Sequence, residues 1–169
     1  SSLLISEVKM QKNHSSEKLY SLPDEAYNYA KNYGPCDDTR SIASKDLIWG
    51  YMYAKVIDKC PRDDIRQLMC SSPGAAYWYA RDIDMGPRDN TREATCKLPK
   101  VAYYYALDVD KCSQEDTRNA ACGDPRWAFE YAKNIDKCPL EDTWQAVKGT
   151  EYEKTYNQFF NQEIKNKVV

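Results

Sequence analysis

A chain of 169 residues with 24 Lys and Arg against 26 Asp and Glu carries a net charge of −2. That near-balance, with both signs interspersed, excludes the electrostatic footprint of a nucleic-acid binder, and no apolar run approaches the roughly 18 residues of a membrane span. Charged residues make up 30% of the chain, which alone would suggest disorder, but 14 Tyr and 4 Trp, burying ~150–250 Å² per large ring, can build a continuous core.

Residues 1–22 read as an N-terminal cap or flank. Leu3, Leu4, Ile5, Val8, Leu19, Tyr20 and Leu22 offer apolar cover for the helical segment that begins at residue 23, and the polar stretch 11–18 reads as a loop. No basic region leads into an apolar stretch, so a signal peptide is not expected.

From residue 23 one cassette recurs five times: Ala26-Tyr27-Asn28-Tyr29-Ala30, Gly50-Tyr51-Met52-Tyr53-Ala54, Ala76-Tyr77-Trp78-Tyr79-Ala80, Ala102-Tyr103-Tyr104-Tyr105-Ala106 and Ala128-Phe129-Glu130-Tyr131-Ala132. The closing alanines are 24, 26, 26 and 26 residues apart, the signature of a tandem repeat. Other columns keep step. Three residues after the Ala stand Ile57, Ile83, Val109 and Ile135, each followed by an acid: Asp58, Asp84, Asp110 or Asp136. Eleven residues after it stand Ile65, Thr91, Thr117 and Thr143, three of them followed by Arg66, Arg92 and Arg118. The copies span about 23–46, 47–72, 73–98, 99–124 and 125–148.

The third copy shows how each is built. Ser72 is a good N-cap, and Pro73 loses nothing at the first helical position, where the N–H has no partner. Ala76, Tyr79, Ala80 and Ile83 then fall at i, i+3, i+4 and i+7, one face of an α-helix. The helix is expected to stop near Asp84-Met85-Gly86-Pro87, where Gly and Pro break it. A second, shorter helix comes next, from about Arg88 to Cys96. Acids crowd the first turn of its equivalents, as in Asp63-Asp64, Glu115-Asp116 and Glu141-Asp142. Its inward residues are Leu68-Met69, Ala94, Ala120-Ala121 and Ala146-Val147. A helix of two or three turns cannot stand alone, so stacking on neighbouring copies must stabilise it. After residue 148 the pattern changes. Tyr152, Tyr156, Phe159, Phe160 and Ile164 line one face of an amphipathic helix within 149–169 that would cap the last copy. The predicted fold is all-α: an α-solenoid of about five short helix-turn-helix repeats with N- and C-terminal caps, a single domain overall.

The seven Cys fall into two columns, Cys36, Cys60, Cys112 and Cys138 at the turn and Cys70, Cys96 and Cys122 near the end of the second helix. Stacked helices lie ~8–10 Å apart, beyond the roughly 7 Å limit for bridged Cα atoms, so ladder disulfides are not expected. The thiols read instead as small buried hydrophobes in a reducing cytoplasm. One His, outside the repeats, and no paired-Cys motif leave no metal site and no cofactor expected.

The cassette A-Y-x-Y-A-x-x-[IV]-D-K-C-P-x-x-D-T-R-x-A-x-C-x-D-P resembles short helical tandem repeats found in tailed-phage and some bacterial reading frames. It is more distantly similar to variant leucine-rich and HEAT-type α-solenoids. The resemblance covers about residues 23–148. It implies a helical solenoid of phage or bacterial type, and it implies no catalytic residue.

Four features are candidates for function. The residue inside each Tyr-x-Tyr points about 180° from the core face, and its occupants vary: Asn28, Met52, Trp78, Tyr104 and Glu130. Large rings ringed by polar residues are what interface hot spots look like, so this column is the expected partner-binding surface. Arg66, Arg92 and Arg118 read as an inter-repeat ion-pair ladder with the Asp column, or alternatively as the anion-binding groups of a small-ligand or nucleotide site. The Tyr27, Tyr51, Tyr77, Tyr103 and Phe129 column reads as ring packing between copies, with base stacking the alternative. No catalytic set is supportable, since every acid pair recurs with the repeat. The expected function is a non-enzymatic, cytoplasmic protein-binding adaptor or inhibitor, acting on a host protein if phage-encoded.

Overall fold

The computed structural model describes residues 19–167, with side chains described as far as Asn161. Every regular element among the described residues is helical, none is a strand, and neighbouring helices pack in pairs as in an α-solenoid repeat. Leu3, Leu4, Ile5 and Val8 lie outside the described residues.

Contacts divide the chain into two units, with the boundary between Asp58 and Lys59. The first contains α1 (Pro23–Tyr33), α2 (Asp37–Ala43) and α3 (Leu47–Met52). Ala26, Tyr27, Ala30, Ile42, Ala43 and Tyr53 are its core, with Tyr20, Trp49 and Met52 packed against them. Tyr20 stacks at 4.7 Å on Tyr29, but Leu19 and Leu22 are exposed and give none of the expected apolar cover. In their place, Glu25 caps α1 by accepting the N–H groups of Ser21 and Leu22 at 2.9 and 3.1 Å.

The second unit holds α4 (Asp63–Met69), α5 (Pro73–Tyr79), α6 (Asp89–Thr95), α7 (Pro99–Tyr105), α8 (Glu115–Ala121), α9 (Pro125–Tyr131), α10 (Glu141–Val147) and α11 (Glu153–Lys167). Ser72 caps α5 and Asp124 caps α9, each accepting a main-chain N–H of the first turn. Ala76, Ala102 and Ala128 are fully buried, which lets helices approach closely, and Tyr79, Tyr105 and Tyr131 fill the space beside them. In the second helices the buried column is Met69, Thr95, Ala121 and Val147. Ala94 is buried as expected, but Leu68, which holds the same position one copy earlier, is exposed.

One element was not foreseen. From the second copy on, each first helix ends in a π-helical turn: Tyr53–Asp58, Ala80–Asp84, Ala106–Asp110 and Ala132–Asp136. An i→i+5 turn carries more residues per revolution than an α turn, so adjacent side chains such as Ile83 and Asp84 both turn inward. The first copy is two residues shorter and has no such turn; α1 runs straight to Gly34 at φ 99°.

The chain leaves each π turn through a left-handed residue that is not glycine: Lys59, Met85, Lys111 and Lys137, at φ 53–56°. The helix stops within the expected Asp84-Met85-Gly86-Pro87, with Met85 rather than the glycine in the left-handed conformation. A left-handed conformation costs a residue with a Cβ roughly 1–2 kcal/mol, partly offset by glycine's extra freedom when unfolded. Lys111→Gly should therefore raise stability by up to about 1 kcal/mol in urea denaturation, and Lys111→Ile should lower it by at least as much.

At the C-terminal end α11 begins at Glu153. Its Tyr156 and Phe160 are buried and Phe159 half-buried, and the side chain of Ile164 lies outside those described; Tyr152, expected on this helix, is half-buried in the turn before it. Trp144 stands where earlier copies carry Arg, and its ring packs 5.9 Å from Tyr156.

Candidate functional site

Each second helix is joined to the next first helix by two devices. The first is ionic. Arg40 grips Asp58 through Nε and Nη2 at 2.8 and 2.7 Å. Arg66 holds Asp84 the same way at 2.5–3.0 Å, and Arg92 holds Asp110 at 2.6–3.2 Å. These Asp carboxylates are buried, whereas Asp37, Asp63 and Asp89, three residues before each Arg, are fully exposed outer partners. The hydrogen bond to Asp84 raises the Arg66 guanidinium above its ordinary value, and Asp110 does the same for Arg92. Arg118 differs. Its Nε goes to Asp142 at 2.8 Å and its Nη1 to the Ser113 hydroxyl at 2.9 Å, which in turn donates to Asp136 at 2.5 Å.

The second device is a hydroxyl. Tyr105 accepts the Arg88 N–H at 3.1 Å, donates to the Arg88 carbonyl at 3.2 Å and bonds Thr91 Oγ1 at 2.8 Å. Tyr53 bonds Thr39 and the Cys36 main chain, Tyr131 bonds Thr117 and Gln114, and Tyr156 bonds Thr143. The Tyr that closes each cassette thereby caps the second helix of the copy before, and α11 repeats the device after the last copy.

These two ladders absorb Arg66 and Arg92. Their donors are spent on carboxylates of their own chain, so they present no free guanidinium fork to an anion.

The cysteines are not the buried hydrophobes expected. All seven are free; Cys36, Cys60, Cys112 and Cys138 are exposed and the rest half-buried. Cys60, Cys112 and Cys138 lie just beyond the left-handed residue, where the chain has already left the packed face. Burial pushes the Cys96 and Cys122 thiols up to about 11. At Cys36, hydrogen bonds from Thr39 outweigh partial burial and lower the thiol.

What remains outward is the variable column. Asn28 is exposed, and Met52 is half-buried against the core of the first unit. In the second unit Trp78 is 48% exposed while Tyr104 and Glu130 are half-buried. Tyr104 sits in a ring cluster, 6.4 Å from Tyr77, 5.0 Å from Tyr103 and 5.7 Å from Trp127. Trp78 touches the same cluster through Tyr77 at 5.7 Å. Inter-copy ring contacts at Tyr77–Tyr104 and Tyr103–Trp127 are the packing expected of that column, and their hydroxyls are engaged too, by Asp108 and Asn134.

Reasoning along the cassette missed Trp127, because Ala75 and Val101 hold its place in the two preceding copies. It missed the cations on Trp127 for the same reason. Arg126 lies 5.0 Å and Lys100 6.0 Å over Trp127, from a position that varies between copies, and Arg81 lies 4.3 Å over Trp78 from a position that is basic in four of five copies, Leu107 being the exception.

The arrangement is that of a helical tandem-repeat protein. No protein-family model matches the chain, and no curated protein or solved structure matches it. Among the described residues no helix is long and apolar enough to cross a membrane, and no group of His, Cys, Asp and Glu is placed to hold a metal ion.

Proposed function

We propose that this protein is a non-enzymatic adaptor or inhibitor that binds a protein partner through the outward surface of its first helices. The observation that carries this reading is Trp78, 48% exposed at the edge of a cluster of four further rings, with Arg81 stacked on it. A large ring held in place by its neighbours loses little freedom on binding and buries much area, the anatomy of a binding hot spot. Both recurrent charge columns are spent on joining copies, which leaves the variable column to do what differs between proteins built on one scaffold. The cassette's resemblance to phage repeats supports a phage-encoded protein acting on a host protein in the host cytoplasm, an argument by analogy.

The test is Trp78→Ala in the full chain. Thermal unfolding should be nearly unchanged, because the ring is half in solvent, while capture of the partner should weaken at least about thirtyfold, the scale of a hot spot. Equal capture by both proteins rejects this surface.

A further inference from the structure

We infer that the segment received by this face is an acidic stretch of protein with apolar anchors. The inference rests on the protein-binding reading above and adds the chemistry of what binds. On a helix, positions four before and three after a residue share its face. For the row Trp78, Tyr104 and Glu130 these positions are Gly74, Lys100 and Arg126 on one side and Arg81, Leu107 and Lys133 on the other. The contacts agree: Arg81 lies over Trp78, Lys100 and Arg126 over Trp127, and Lys133 over Phe159 at 5.7 Å. Two large rings and Glu130 are thus bordered by two cations on each side.

Two facts fix the sign of the partner. The ring faces already carry the protein's own cations, so a basic segment would meet both occupied rings and like charge. The acids nearby are held inside the chain, and Asp82 balances Arg81, so the positive charge of the strip is that of Lys100, Arg126 and Lys133. Asp82 pairs with Arg81 at 2.7 Å, Asp108 accepts from Tyr77 at 2.5 Å and Glu130 accepts from Asn134 at 2.9 Å. Among the described residues neither Lys100 nor Arg126 forms an ion pair, and both are exposed. With the whole chain at −2, this is a local basic strip on an acidic protein. Successive helices lie ~8–10 Å apart and an extended chain advances ~3.3 Å per residue, so an extended ligand crossing the rows would meet one copy about every third residue.

The probe is a fluorescent peptide of four Leu-Glu-Glu units, compared by anisotropy with a Leu-Lys-Lys counterpart and an oligo-dT strand, using the full chain. The acidic peptide should bind, weaken as salt rises, and lose at least tenfold in affinity both in Lys100→Glu/Arg126→Glu and in Trp78→Ala. Unchanged cooperative melting would show that the exposed double variant still folds. No binding of the acidic peptide, equal binding of the basic one, preference for oligo-dT, or indifference to the charge reversal each overturns the inference. Binding of the basic peptide that is lost in Trp78→Ala would sink the acidic assignment and leave the protein-binding reading standing. Indifference of every peptide to Trp78→Ala counts against both.

Discussion

Asp84→Ala is expected to destabilise the second unit by about 3–5 kcal/mol, the usual cost of removing one partner from a buried ion pair. The Asp84 side chain is fully buried and accepts both Nε and Nη2 of Arg66. Without it, Arg66 keeps only Asp63, whose carboxylate is almost wholly in solvent and screened accordingly. Asp63→Ala should therefore cost less than about 1 kcal/mol, although it touches the same guanidinium. Urea denaturation of the two variants, with unchanged m values, measures the contrast. Arg66→Met combined with Asp84→Leu should recover much of the loss, since apolar groups of similar volume can replace a buried pair. If the two single variants cost the same, the Arg–Asp ladder does not hold the copies together.

The ladder was readable in the sequence because it obeys the period: an Arg and an Asp 18 residues apart recur with the cassette, and a feature copied with the scaffold serves the scaffold. The same logic made the buried Ala and Tyr columns legible, and Ser72-Pro73 marked a helix start because it satisfies a local rule. What was not legible depends on contacts or on departures from the period. The π turns leave no composition cue; they arise from the need to bring Ile83 and Asp84 inward together, which only the neighbouring Arg66 dictates. Cys60 and Cys112 look like core residues by type, yet the left-handed Lys59 and Lys111 before them have already carried the chain off the packed face. Trp127 and its cations occupy positions with no constant identity, so column-by-column reading passes over them. For the binding surface that is the general difficulty: the residues that vary between copies are the ones a repeat pattern cannot announce.

Tyr105→Phe is expected to cost about 1–3 kcal/mol although it removes a single oxygen. The hydroxyl serves three partners at once, the Arg88 N–H, the Arg88 carbonyl and Thr91 Oγ1, at a site with no exposure. Phenylalanine leaves the ring packing intact and strands the Arg88 N–H alone, because the Arg88 carbonyl keeps the Arg92 N–H at 3.0 Å and the Thr91 hydroxyl at 3.1 Å, and a polar group left unpaired costs roughly 1–3 kcal/mol. The chain contains its own control. Ile65 stands where the other copies have Thr, so the Tyr79 hydroxyl serves only the Arg62 main chain, and Tyr79→Phe should cost less than Tyr105→Phe. The same hydroxyls predict the alkaline limit of stability. Burial raises the pKa of Tyr105, Tyr131 and Tyr156 above the ordinary 10.0, so the folded protein keeps them neutral where the unfolded chain would ionise them. Their contribution is complete below pH 10 and is lost as pH rises through the folded values. Tyrosinate absorbance of these rings should therefore appear together with loss of helix, in one cooperative step above pH 10. Full tyrosine ionisation at pH 10 with the helices intact would mean that the hydroxyls are not sealed between copies as described.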